Sequence, residues 1–224
     1  MLGSWFPSCR DRFSAADFDF LIRHLAPDDE GRSLRKLLED PEALREILDL
    51  REVFLAVLEE NGALAISPPF YFYVLVRHAF LDAGIVDAGI ADYVAGVLCE
   101  RVGADPADAL RGIPGGLVHA VDFVAILEGA RGRVRFHIQL AAGHQFLTLT
   151  GLFPGYLQRR SDRSGAPGIE FYEGFARRVF REAAENRDAP KETPRRLLGD
   201  LADCLPQARR SLNRLADEWV FLGE

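Results

Sequence analysis

Arg133-Val134-Arg135-Phe136-His137-Ile138-Gln139-Leu140 alternates polar and apolar residues without a break, and Phe146 to Thr150 alternates again after Ala141-Ala142-Gly143-His144-Gln145. Period-two patterning is a strand signal. It allows a short β-hairpin over 133–150. The competing expectation is a helix from about Val134 to Phe153. The segments on both sides carry helical periodicity, and a lone two-stranded hairpin is marginal in water unless it packs on something. The helix is therefore expected, and with it an all-α fold: a single-domain multi-helix bundle over residues 1–224.

Upstream, Ser14 followed three residues later by Asp17 has the form of a capping box. Phe18, Leu21, Ile22 and Leu25 then recur at helical spacing until Pro27. Leu34, Leu37 and Leu38 make a short second helix. Asp40-Pro41 places an N-cap acid before proline at the first helical position, where the missing N–H costs nothing. Leu44, Ile47, Leu48, Leu55 and Leu58 carry one helix on toward Asn61-Gly62. Ser67-Pro68-Pro69 opens a segment, Phe70 to Val76, that is apolar on every side, which marks a helix central to its bundle. Ile90 to Val102 reads as another helix. Pro114-Gly115-Gly116 is a strong break, and a subdomain boundary near 112–117 is expected there.

Downstream, Val118 to Leu127 is a helix and Pro154-Gly155 a turn. Residues 159–168 are polar and turn-rich, and predict a flexible loop. Phe171, Phe175, Val179 and Phe180 give the next helix one apolar side. Thr193-Pro194 begins a last helical pair, with Pro206 restarting its second member.

The chain has 224 residues, 48% hydrophobic and 27% charged, enough apolar material for a substantial core. No apolar run approaches the ~20 residues that span a bilayer. Met1 to Cys9 lacks the basic start and apolar run of a signal peptide, so a cytoplasmic location without membrane attachment is expected. The three cysteines, Cys9, Cys99 and Cys204, are odd in number and have no CxxC spacing, which argues against a disulfide framework or a zinc knuckle. Cys99 and Cys204 read as small buried hydrophobes, and Cys9, near the terminus, as the exposed one. The net charge of −7 is uneven. Residues 1–130 carry 22 acids and 11 bases, residues 131–224 carry 12 acids and 16 bases. Two halves of opposite sign suit association with each other, within a molecule or across a homodimer, or with an anionic partner of the basic half.

Signatures of chemistry are few. No Glu-x-x-His, His-Glu-x-x-His or Gly-x-Ser-x-Gly occurs, and Gly112 to Gly116 lacks the Gly-Lys-Ser/Thr ending of a P-loop. His137 and His144 are seven apart, about 10 Å along a helix, too far for two ligands of one zinc. No metal and no cofactor is expected. The best ligand candidates are Tyr71, Tyr73, Arg77 and His78 on the apolar helix, taken together with His137, His144 and Gln145. An arginine and a histidine set among aromatics need partners if buried, and an anion or an acidic side chain would serve. For interaction, Arg159, Arg160, Arg163, Arg177, Arg178 and Arg181 form the main arginine clusters, and Trp219 is an aromatic near the terminus, as Trp5 is at the other end. Interleaved acids and a pI near 5.3 speak against nucleic acid as the partner.

Phe146-Leu147-Thr148-Leu149-Thr150-Gly151-Leu152-Phe153-Pro154, followed by Phe171-Tyr172-Glu173-Gly174-Phe175, resembles a pattern found in a group of bacterial helical proteins of unassigned function. In that pattern an apolar helix ends Gly-aromatic-Phe-Pro, a loop follows, and paired aromatics open the next helix. The resemblance implies a helical fold and a bacterial source, and no activity. With no catalytic signature, the expected function is non-catalytic: association with another copy or another protein, as a regulator or scaffold. The alternatives are a helical small-molecule site or enzyme around Arg77, His78, His137 and His144, and weak nucleic-acid binding by the arginine-rich half.

Overall fold

The computed structural model describes residues 6–26, 31–59, 66–102 and 120–218, and its regular structure there is helical. The described residues contain eleven α-helices, one 3-10 turn and no strand, as the all-α expectation has it. Contacts divide the chain into two compact units, Met1–Cys99 and Glu100–Glu224. The break expected at 112–117 lies outside the described residues.

The first unit holds the 3-10 turn Arg10–Arg12, then α1 (Ala15–Leu25), α2 (Gly31–Leu38), α3 (Pro41–Leu48), α4 (Arg51–Glu59), α5 (Pro68–Asp82) and most of α6 (Ala88–Val102). One carboxylate organises two of these helix starts. Asp17 is fully buried and accepts from the Ser14 backbone N–H at 2.7 Å and hydroxyl at 3.0 Å, and from the Ser67 N–H at 2.6 Å and hydroxyl at 2.7 Å. The capping box of α1 thus also anchors the N-cap of α5, fifty residues away. As its composition requires, α5 is the core element: Phe70, Tyr73, Val74, Leu75, Val76 and Phe80 are all buried. It packs on α4 and on the 3-10 turn, with Phe13 edge-on to Phe70 at 5.2 Å and to Tyr73 at 5.7 Å.

Two expectations in this unit need correcting. The single helix expected from Asp40 toward Asn61 is two, α3 and α4, because the chain turns at Asp49-Leu50. That turn frees the Asp49 carboxylate and the Leu48 carbonyl for side chains of α5, described below. Cys9 is buried rather than exposed, whereas Cys99 and Cys204 are half-buried. The cause is Asp92 on α6, which accepts from the Cys9 and Arg10 backbone N–H groups, each at 2.9 Å, and from the Ser8 hydroxyl at 2.8 Å.

The second unit takes the end of α6 and adds α7 (Ala120–Gly129), α8 (Gly132–Leu152), α9 (Pro154–Ser164), α10 (Ile169–Glu185) and α11 (Arg195–Glu218). Helices α8, α10 and α11 pack mutually. The ambiguous stretch is thus helix, and burial gives the reason. Gln139, Leu140, Ala142, Gly143 and the whole run Gln145–Leu152 are covered, on every side of the helix. Strand-like β-branched threonines are accommodated because Thr148 and Thr150 return their hydroxyls to the carbonyls of His144 and Phe146, at 2.9 and 2.6 Å. Gly143 is needed for contact with α10: a Cβ there would sit 2.7 Å from the Phe180 ring.

The polar stretch 159–168 is helix as far as Ser164, not loop. Gln158 donates to Asp162 one turn on, and Gly165 ends the helix at φ 63°, in the left-handed region. Pro206 does not restart a helix either: α11 runs through it. A proline in a helix orphans the carbonyl four residues back. Here that is Ala202, and Arg177 Nε of α10 donates to it at 3.1 Å.

Candidate functional site

The seven ligand candidates divide by unit. Tyr71, Tyr73, Arg77 and His78 belong to the first, His137, His144 and Gln145 to the second.

In the first unit, Arg77 is 3% exposed and each of its three guanidinium nitrogens donates a hydrogen bond. Nε and Nη2 each donate to one oxygen of Asp49 at 2.6 Å, and Nη1 donates to the Val86 carbonyl at 2.9 Å. This is the fork-to-carboxylate geometry that arginine suits best, and Asp49 holds the Arg77 pKa above its ordinary value. His78 meets the Leu48 carbonyl through Nε2 at 3.1 Å. A carbonyl only accepts, so Nε2 carries the hydrogen. The ring lies against Phe54 at 4.9 Å, and burial pushes its pKa down, keeping it neutral. Both side chains therefore pin α5 to the α3–α4 turn. Tyr73 differs: it is completely buried, its hydroxyl has no partner among the described residues, and the Arg10 guanidinium lies 6.0 Å over its ring. Burial pushes the phenol pKa up to about 12. Tyr71 is half-buried, edge-on to Phe72 at 5.7 Å.

In the second unit, Arg101 at the end of α6 is half-buried, and its described hydrogen bond goes from Nη1 to the Gln145 side-chain oxygen on α8, at 2.7 Å. No described carboxylate forms an ion pair with it. Burial lowers its pKa, and the neighbouring Glu100 offsets only part of this. Gln145 is 1% exposed, and its amide nitrogen has no hydrogen-bond partner among the described residues. The adjacent His144 is held neutral, its pKa pushed down to about 3 by burial first and by the Arg101 guanidinium second. Phe180 of α10 stands 6.2 Å from its ring. His137 lies two turns earlier on the same helix, about 10 Å along its axis. Among the described residues no group of three His, Cys, Asp or Glu could hold a metal ion.

The arginine clusters fall on α9 and α10. Arg177, Arg178 and Arg181 line a surface depression of ≈ 390 Å³ with Gly174, Glu182 and Glu185. Their charges are engaged: Arg177 with the Ala202 carbonyl, Arg178 with Glu182 at 3.6 Å, Arg181 with Asp203. Arg160 lies 5.8 Å from the Tyr156 ring, and Arg159 and Arg163 are exposed on α9. Trp219 is outside the described residues.

Sequence reasoning missed Asp49 and Arg101. Asp49 carries no local motif, and only the tertiary fold brings it to Arg77, 28 residues on. Arg101 looks like any basic residue in the last turn of a helix.

No protein-family model, no curated protein and no solved structure matches this chain.

Proposed function

We propose that the second unit binds a small anionic ligand through Arg101, with Gln145 and His144 beside it. One observation carries this: among the described residues a half-buried guanidinium hydrogen-bonds a neutral amide and no carboxylate, and that amide's own N–H group has no described partner. A charge removed from water without a counter-charge is costly. A carboxylate or phosphate oxygen would supply the counter-charge and accept from both groups. The neutral His144 adds a polar contact without a competing positive charge. The role is binding; nothing in the arrangement pairs a nucleophile with a base.

The test is native mass spectrometry of the protein purified without added ligand, wild type against Arg101→Gln. An acidic adduct on the wild type that is lost in the variant supports the proposal. An adduct that survives Arg101→Gln, or no adduct on the wild type, counts against it.

A second proposal, association with another copy or another protein, is favoured by the surface of the first unit. Leu37, Leu50 and Leu55 are 52%, 43% and 45% exposed. A groove of ≈ 320 Å³ is lined by Ala15, Phe18, Arg35, Leu38 and Glu39 of the α1–α2 segment. Exposed apolar groups of this size cluster at contact surfaces more than elsewhere. The same spectra read the oligomeric state: a monomer at micromolar concentration removes self-association. Nucleic acid draws no support from α10, whose arginines already have acceptors. No described helix is long and apolar enough to cross a membrane.

A further inference from the structure

The N-terminal segment lies along one face of α6. Asp92, Gly96 and Cys99 are spaced by four and three residues, so they stack on a single side of that helix. Asp92 holds Ser8, Cys9 and Arg10 by three hydrogen bonds of 2.8 to 2.9 Å. At Gly96 the segment comes so close that a Cβ would stand 2.7 Å from the Pro7 carbonyl carbon and 2.8 Å from the Ser8 nitrogen. One turn further on, the Cys99 side chain comes within interacting range of the Cys9 thiol and disfavours its ionisation. The two thiols differ in access: Cys9 is fully buried, Cys99 half-buried.

We infer that Cys9 and Cys99 form a redox-responsive dithiol, which a hydroperoxide converts to a disulfide that locks the N-terminal segment onto α6.

The geometry assigns the order of events. Cys99, the less buried of the two, attacks the peroxide: an S–O bond forms, the O–O bond breaks, and the departing hydroxide takes the Cys99 thiol proton as water, reducing the oxidant and leaving a sulfenic acid. Cys9 then attacks that sulfur from within the fold. The S–S bond forms, the S–O bond breaks, and the departing hydroxide takes the Cys9 proton as water. One hydrogen peroxide is consumed and two waters are produced per disulfide. The neighbouring Cys99 first and burial second hold the Cys9 pKa well above the usual thiol range. Cys9 thus stays a protonated thiol, inert to oxidant from solvent, until its partner has been oxidised. The loop closed by this bond takes in most of the first unit, so the oxidised form should melt ~5–10 °C higher than the reduced form.

The experiment treats the full chain with hydrogen peroxide, quenches free thiols, and maps peptides without reduction. The expected result is a Cys9–Cys99 disulfide in the wild type and in Cys204→Ser, with the melting rise reversed by dithiothreitol. Cys9→Ala should stop at sulfenic or sulfinic acid on Cys99, and Cys99→Ala should leave Cys9 unmodified. Gly96→Ala, which pushes the segment off α6 while keeping both cysteines, should slow the bond several-fold. The inference is overturned if wild-type Cys99 advances to sulfinic acid while Cys9 remains a thiol, or if the disulfides found are intermolecular ones through Cys204. Because the wild type carries the main result, a variant that folds poorly does not blunt the test.

Discussion

Arg77 in the first unit and Arg101 in the second are both drawn out of water, and they are treated differently. Arg77 meets a carboxylate in a two-pronged bond and donates from its remaining nitrogen to a backbone carbonyl. Arg101 meets a glutamine. The first arrangement is closed: charge is balanced and the guanidinium nitrogens are occupied. The second is open, with a positive charge and an unused amide side by side. The difference separates a joint that holds helices together from a place where something else can dock. Arg77 and His78, ligand candidates by sequence, both have structural partners in the α3–α4 turn.

The sharpest way to break the comparison is to open the closed joint. Asp49→Ala leaves Arg77 buried without its counter-charge and should cost about 3–5 kcal/mol of stability, read as a fall in the urea midpoint. Arg77→Met strands only Asp49, which is 29% exposed and can rehydrate. Its cost should be smaller, ~1–2 kcal/mol. Equal costs for the two would mean that the pair is not held by burial of the arginine.

Acid sharpens the contrast from the other side. His144 has its pKa lowered from 6.5 to about 3 in the fold, so above 6.5 it is neutral in both states and contributes no penalty. As pH falls from 6.5 toward 3 the unfolded chain takes up a proton that the folded one refuses, and stability is lost over that window. His78, depressed by burial as well, adds to the same slope. His144→Gln should flatten part of it in urea titrations run between pH 7 and pH 4. An unchanged slope would place His144 in contact with water.

Arg101→Gln should have the smallest effect on stability, within about 1 kcal/mol of wild type and on the favourable side, because it removes a charge that burial disfavours. A large loss would reveal a structural role like that of Arg77.

Much of the fold is legible in the sequence. The apolar run Phe70–Val76 announces a central helix, and the Ser14/Asp17 and Ser67-Pro68 signals mark two helix starts that the structure has. What is not legible follows from contacts made at a distance. The chain turns at Asp49 because Arg77 and His78 receive the groups that turn releases. Helix α11 continues through Pro206 with Arg177 supplying a donor for the orphaned carbonyl. Residues 159–164 are polar because they are a surface helix, and polarity alone does not separate that from a loop. For the site, His144 and Gln145 are visible as polar residues in an apolar helix, but nothing in sequence joins them to Arg101, 44 residues from Gln145. Cys9, by position, looks exposed; Asp92 is what draws it in.

The most direct measurement is the melting temperature of wild type and Arg101→Gln titrated with inorganic phosphate, against sodium chloride at matched ionic strength. Phosphate should raise the wild-type value saturably, as ligand linkage requires, while chloride does not and Arg101→Gln shows no rise. A rise equal in both proteins, or no greater with phosphate than with chloride, would contradict an open anion site at Arg101.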